Sequence, residues 1–245
     1  MKKLFQIIYT LYAWATLSIL WVTGYFILIF STLGVKDKES RYNALERKLT
    51  RIAFRLMGVT IDAQGVENIP LHEPVIFVSN HQSFFDIKLS LAAIPRNFSF
   101  ISKDIIFKIP FLGRYMRVSG HIGIRRSKER DAYNALCAVV RKLKGGKSVV
   151  FFPEGTRSEN GKLGQFKRGI SMVVLRSGRK VVPTAIMGSG NFLAKNSFLC
   201  NPEKRNVCFR FGKPLEFSTV EKEDRALSKD VLIKIRGEVS KLLYN

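Results

Sequence analysis

The sequence predicts an α/β fold, with a central, mostly parallel or mixed sheet flanked by helices and an N-terminal membrane-embedded helical module ahead of it. Three observations predict this. From Gly58 onward, short apolar runs of strand length alternate with segments of helical periodicity. Apolar residues make up 46% of the 245 positions, enough for a proper core and too many for intrinsic disorder. The stretch from Leu4 to Val35 contains no charged residue.

That first stretch is 32 residues long. As one helix it would run about 48 Å, against a bilayer hydrocarbon core of roughly 30 Å. It is too long for the apolar region of a cleaved signal peptide. Tyr9, Tyr12, Trp14, Trp21 and Tyr25 are aromatics of the kind that sit at headgroup level. In the next stretch, Tyr42, Leu45, Leu49, Ile52, Ala53 and Leu56 recur at helical intervals among Arg41, Arg47, Lys48, Arg51 and Arg55. This pattern suits a basic amphipathic helix lying on an anionic membrane, or a surface helix packed on a core. Lys2 and Lys3 precede the apolar run and seven Lys or Arg follow it by Arg55, so both flanks favour the cytoplasmic side. Residues 1–57 thus read as a membrane-anchoring helical module, a hairpin or a helix immersed in one leaflet rather than a single crossing, and residues 58–245 as the α/β domain.

Within that domain the expected strands are Val75–Ser79, Phe98–Ser102, His121–Ile124, Val149–Phe152, Val181–Ile186 and, less clearly, Val207–Phe211. The expected helices are Phe84–Ile94, one capped by Ser127 and ended by Gly145–Gly146, Lys167–Ser177, and Leu227–Leu243.

The chain carries 41 Lys plus Arg and 19 Asp plus Glu, a net charge of +22. Nucleic acid, an anionic membrane or a phosphorylated substrate could each account for it. Residues 121–180 alone hold 15 basic and 4 acidic side chains, a net +11 concentrated near predicted strand ends. The aromatics lie mainly in the apolar runs rather than among the basic residues, which disfavours a membrane-tethered nucleic-acid-binding protein. Three widely spaced cysteines form no disulfide framework or zinc ribbon, and three histidines leave little for a metal site.

Two strings carry chemistry. Asn80-His81-Gln82-Ser83-Phe84-Phe85-Asp86 lies where a strand passes into a helix, the usual place for a site in an open α/β sheet. Five residues of continuous helix turn about 500°, which would leave His81 and Asp86 roughly 140° apart. They can meet only if His81 sits on the loop and Asp86 in the first turns of the helix. A carboxylate on one imidazole nitrogen would make His81 a candidate general base; a helix-capping pair or a solvated histidine is the plain alternative. The second string, Phe152-Pro153-Glu154-Gly155-Thr156-Arg157-Ser158, follows another predicted strand and combines a tight turn, two hydroxyls and a guanidinium suited to phosphate. Lys167, Arg168 and Gly169 then open a helix whose free N–H groups would also favour an anion.

Together these strings resemble the 1-acylglycerol-3-phosphate acyltransferases of the PlsC type. Asn80–Asp86 matches the NHxxxxD motif, Phe152–Ser158 the FPEGTRS motif, Phe166–Gly169 an F-K-x-G and Val181–Ile186 a VVPxxI block. Gly120–Arg126 is similar to a G-x-I-F-I-D-R block, with Gly123 where Phe is usual and Arg125 where Asp is usual. Lys103, Ile109, Pro110 and Gly113 resemble the stretch between blocks. The likeness spans about residues 58–217, in order.

The resemblance implies transfer of an acyl group from a thioester, on coenzyme A or acyl-carrier protein, to the free hydroxyl of lysophosphatidic acid, giving phosphatidic acid. It implies His81 as general base steadied by Asp86, with no covalent acyl-enzyme, cofactor or metal. Glu154, Gly155, Thr156 and Arg157 would hold the acceptor, with Lys103, Arg126 and Lys167 contributing to substrate binding. Arg125 would add a positive charge beside that site. The expected location is the cytoplasmic face of a bacterial inner membrane. Glycerol 3-phosphate, another lysophospholipid and an acylated amino acid are the alternative acceptors.

Overall fold

The computed structural model describes residues 1–31, 37–125, 129–220 and 225–245. Two long helices come first, α1 (Lys2–Ser31) and α2 (Lys38–Leu56). The remaining elements are β1 (Thr60–Gln64), β2 (Ile76–Ser79), α3 (Asp86–Ala93), β3 (Phe98–Lys103), α4 (Leu112–Val118), β4 (Ile122–Ile124), α5 (Glu129–Lys144), β5 (Ser148–Phe151), α6 (Gly169–Ser177), β6 (Val181–Met187), α7 (Ser189–Phe192), β7 (Asn206–Phe211) and α8 (Arg225–Tyr244). Short 3₁₀ turns occupy Val66–Asn68 and Asp104–Lys108. The expected α/β fold with a mixed sheet is the observed one. Ser127, the expected cap of α5, lies outside the described residues.

The seven strands are ordered β1-β7-β6-β2-β5-β3-β4. Neighbours from β6 to β4 are parallel, whereas β7 is antiparallel to β6 and carries β1 parallel to itself. The parallel set therefore presents the C-terminal ends of β6, β2, β5, β3 and β4 along one edge. Strands β2 and β5 are buried on both faces, as central parallel strands must be.

Side chains alternate across this sheet with period two. Phe77, Val150 and Val182 face a core shared with α1, α2, α3 and α4. Ile76, Val78, Val149 and Val181 face a second core built with α5, α6 and α8. The first core is continuous from the N-terminal helices into the sheet. Tyr9 packs edge-on against Phe192, and Phe54 lies beside Phe85. Gly24 marks the crossing of α1 and α2, since any β-carbon there would run into Leu49.

α1 stays on the body of the protein for most of its length. Tyr9 Oη donates to the Met57 carbonyl at 2.7 Å, and Trp14 Nε1 donates to the Phe198 carbonyl at 3.0 Å. Further along, Trp21 meets Tyr115 and Tyr25 meets Phe111. From Tyr9 to Tyr25 is sixteen residues, about 24 Å of helix. The opposite face of α1 exposes Leu4, Leu11, Ile19, Phe26 and Phe30. Residues 2–28 are long and apolar enough to cross a membrane by length and composition.

Candidate active site

The site starts from the pairing of β2 with β6. Asn80, one residue past β2, is buried, and its amide clamps the backbone of Ile186 in both directions. Its Nδ2 donates to the Ile186 carbonyl at 2.9 Å, and the Ile186 N–H donates to Oδ1 at 2.8 Å. The chain is thereby fixed as it leaves the sheet, and His81 follows on the loop.

Asp86 opens α3 and is fully buried. Its Oδ2 accepts three hydrogen bonds, from the backbone N–H groups of Gln82 (2.6 Å) and Ser83 (2.9 Å) and from His81 Nδ1 (2.7 Å). An ionised carboxylate only accepts, so the proton sits on Nδ1 and the imidazole lone pair is on Nε2. This is the loop-and-first-turn geometry that the spacing requires. The His81 ring also stacks on Phe152, with centroids 4.3 Å apart. Ser83 Oγ donates to the Leu193 carbonyl at 2.8 Å and accepts from the Phe85 N–H, so it braces the loop.

The loop after β5, the immediate neighbour of β2, reaches back to the histidine. Glu154 is buried. Its Oε1 accepts the His81 N–H at 2.8 Å, and its Oε2 accepts the Gly164 N–H at 3.0 Å. Burial pushes this carboxyl above the usual carboxylate range, and the two N–H groups counter the shift. The Ser158 N–H donates to the His81 carbonyl at 2.7 Å. Gly155 adopts a left-handed conformation (φ 70°), and the Lys167 side chain lies where a β-carbon would project. Thr156 and Lys167 are exposed and Arg157 is half-buried.

Lys103 is exposed at the end of β3, two strands along the edge from β2. Arg126 lies outside the described residues. Arg125, at the end of β4, meets two carboxylates, Asp104 at 3.1 Å and Asp131 at 3.9 Å. Its charge is thus offset rather than simply added to the site. The start of α6 is also less open to an anion than the sequence suggests. The N–H of Lys167 is taken by Pro153, and that of Ser171 by Arg168.

Beside the loop that carries His81, α1, α2, α3 and α4 line a mostly apolar, partly open cavity of about 280 Å³, whose walls include Trp14, Trp21, Leu49, Ala53, Phe84 and Phe85. One wall carries a partly buried ion pair, Lys88 Nζ to Glu46 Oε1 at 2.6 Å. Neither this cavity nor the inward-facing role of Glu154 was readable from the sequence, because both depend on contacts between distant segments. Among the cysteines, burial pushes Cys200 up to about 11, and burial and Asp62 raise Cys208, so neither is a ready thiolate.

Comparison with known proteins agrees with this architecture. Residues 60–187 match the acyltransferase family. A chloroplastic 1-acyl-sn-glycerol-3-phosphate acyltransferase of Arabidopsis thaliana is 43% identical over 138 residues, 56% of this chain and 38% of the relative. One from Brassica napus is 36% identical over 183 residues, covering 74% and 52%. A Helicobacter pylori 1-acyl-sn-glycerol-3-phosphate acyltransferase is 30% identical over 164 residues, covering 66% and 67%. The chain thus spans about half the length or less of the two plant relatives. The crystal structure of the 1-acyl-sn-glycerophosphate acyltransferase PlsC from Thermotoga maritima superposes with a TM-score of 0.77 at 29% identity, covering 98% of both chains. With its family match extending over more than half of its length and the fold shared from end to end, the chain belongs to the acyltransferase family, in its PlsC-type branch.

Proposed function

We propose that the protein transfers a fatty acyl group from a thioester, carried on coenzyme A or an acyl-carrier protein, to the free hydroxyl of lysophosphatidic acid, producing phosphatidic acid. The observation that carries this reading is the 2.7 Å contact between His81 Nδ1 and Asp86 Oδ2 at the mouth of a basic loop. In the reaction, His81 Nε2 takes the proton of the acceptor hydroxyl as its oxygen adds to the thioester carbonyl. The C–S bond breaks when the tetrahedral adduct collapses, and the imidazolium returns its proton to the leaving thiolate. Asp86 holds the tautomer and stabilises the transient cation. Arg157, Lys167 and Thr156 hold the acceptor phosphate on the Gly155 turn, with Lys103 supplying further positive charge along the edge and Arg126 also contributing to substrate binding. Glu154 serves them indirectly, by tying the phosphate loop to the backbone of His81. The cavity beside Phe84 and Phe85 receives an acyl chain.

We further propose that residues 1–57 anchor the enzyme in one leaflet on the cytoplasmic side, with 58–245 as the catalytic domain. The support is the contact α1 keeps with the body from Tyr9 to Tyr25 while its outer face stays apolar. A helix crossing the bilayer would have to leave the domain over that length.

The test is thioester consumption with lysophosphatidic acid and each donor, for wild type, His81→Ala and Asp86→Asn. Loss of the base should lower turnover by about 10²–10⁴-fold. Asp86→Asn should also be severe, because it retains the shape and loses the charge. A folded His81→Ala variant with near-normal turnover would remove His81 from the chemistry.

A further inference from the structure

The apolar surface of the protein continues beyond α1 onto the α/β domain. Three of the domain's phenylalanines are unusually open, Phe84 at 51%, Phe111 at 64% and Phe198 at 82% exposure. Each meets an aromatic residue of α1. The Phe84 ring lies 6.4 Å from Trp14, and Phe111 stands perpendicular to Tyr25 at 5.8 Å. The Phe198 carbonyl accepts the Trp14 indole N–H at 3.0 Å. Trp14 and Tyr25 are eleven residues apart, about 16 Å along the helix. Phe198 and Phe111 therefore stand at two separated points along α1, and Phe84, inside the catalytic loop, lies close to the first of them.

Phe111 is held out in an unfavourable backbone conformation. It has φ 60° and ψ −53°, the one non-glycine residue with positive φ among those described. The Leu112 N–H donates to the Pro110 carbonyl at 2.6 Å, closing a three-residue γ-turn of the rare positive-φ kind. A bulky residue avoids this region, and in water an exposed aromatic ring gains nothing by adopting it. Ile105 and Ile109 are exposed on the same segment, and Leu199 beside Phe198. Lys108 and Arg114, both exposed, flank the Phe111 tip. Apolar tips backed by cations and continuous with an apolar helix face match the boundary between acyl chains and anionic headgroups.

We propose that Phe111 and Phe198, with Ile109 and Leu199 beside them, insert into the same lipid leaflet as α1. They dock the catalytic domain at two points and set its tilt, so that the loop carrying His81 faces lysolipid arriving sideways within the leaflet. This rests on the one-leaflet reading of α1 given above, and it adds that the domain is docked in the bilayer rather than merely tethered to it.

The experiment uses the full chain with Cys137, Cys200 and Cys208 replaced by alanine. Single cysteines carrying an environment-sensitive fluorophore are placed at 111, 198, 19 (outer face of α1) or 229 (on α8, across the sheet). The protein is reconstituted into phosphatidylglycerol–phosphatidylethanolamine vesicles. Probes at 111, 198 and 19 should be quenched by lipids brominated in the acyl chain and shielded from aqueous iodide, with 229 the reverse. If 111 and 198 behave like 229 while 19 is in lipid, the docking proposal fails and the anchor stands. If 19 is also aqueous, both fall. Shielding from iodide without quenching by brominated lipid would put protein on these tips and overturn the proposal. Independently, the double variant Phe111→Asn, Phe198→Ser in the native chain should keep its turnover on a soluble short-chain acceptor and lose it several-fold on acceptor in vesicles. Unchanged rates on both would also overturn it.

Discussion

At the scale of single residues, the proposed acceptor loop and one buried histidine make separate predictions. Arg157 is half-buried, two residues after Gly155, against whose left-handed turn the exposed Lys167 side chain lies. In the proposed role Arg157 makes one charge-assisted contact to the acceptor phosphate, and replacing it with alanine should cost about 1.5–3 kcal/mol of acceptor binding. The KM for lysophosphatidic acid should rise while the thioester KM holds, and added salt should narrow the gap to wild type. A rise confined to the thioester KM would assign Arg157 to the donor. His121 bears on stability. It is buried, stacked on Phe100 at 3.8 Å, with neither ring nitrogen hydrogen-bonded to any of the described residues. Burial, then Lys88 and Lys142, lower its pKa to about 3. Between the ordinary histidine value, about 6.5, and that level, the unfolded chain binds a proton that the folded one refuses. Stability is therefore full above the unfolded value and falls as pH drops through this window. His121→Phe should flatten the acid limb of urea-denaturation midpoints measured between pH 7 and pH 4. An acid limb as steep as that of wild type would assign the loss to other groups.

At the scale of elements, the strands that organise the site were legible and their linkages were not. The apolar runs at β2, β3, β5 and β6 stand within a residue or two of their expected ends, because central parallel strands are apolar on both faces. β1, with the sequence Thr-Ile-Asp-Ala-Gln, carries no such mark. It is a largely exposed edge strand that depends on β7 for its pairing. α3 begins at Asp86 rather than Phe84, because the Asp86 side chain draws the Gln82 and Ser83 N–H groups into a loop. In the site itself, the condition under which His81 and Asp86 can meet followed from helix arithmetic, and the 2.7 Å contact meets it. The role of Asn80 did not, since its partner is 106 residues away. Asn80→Ala leaves the buried Ile186 N–H and carbonyl without their side-chain partner, at a cost of about 1–3 kcal/mol for each group left unpaired. Chemical denaturation should report that loss, and turnover should fall although the residue touches no reacting atom. A variant of wild-type stability would show that the clamp is dispensable.

At the scale of the whole molecule, the proposed division at residue 57/58 does not separate two folding units. α1 and α2 cover Phe85, Tyr115 and Phe192, which belong to the same core as the sheet. Removing residues 1–57 should therefore yield aggregated protein by size-exclusion chromatography, recovered only in detergent. A monodisperse, detergent-free fragment would mean that the sheet carries its own sufficient core. The net charge of +22 was legible as an attraction to anionic partners. Its local pairing was not, because ion pairs such as Arg125 with Asp104 and Lys142 with Glu39 join residues far apart in the sequence and cancel part of the charge.

The Glu154 carboxylate joins the His81 N–H to the Gly164 N–H, and the Ser158 N–H returns to the His81 carbonyl. This double stitch makes the two loops one heritable part. A chimera that imports the 152–164 segment from a relative brings in a foreign tether for the histidine along with a foreign version of the proposed acceptor loop. Altering acceptor choice by loop exchange should therefore succeed when residues 80–86 and 152–164 travel together and fail when either travels alone. In laboratory evolution, substitutions in one loop should be followed by compensating ones in the other.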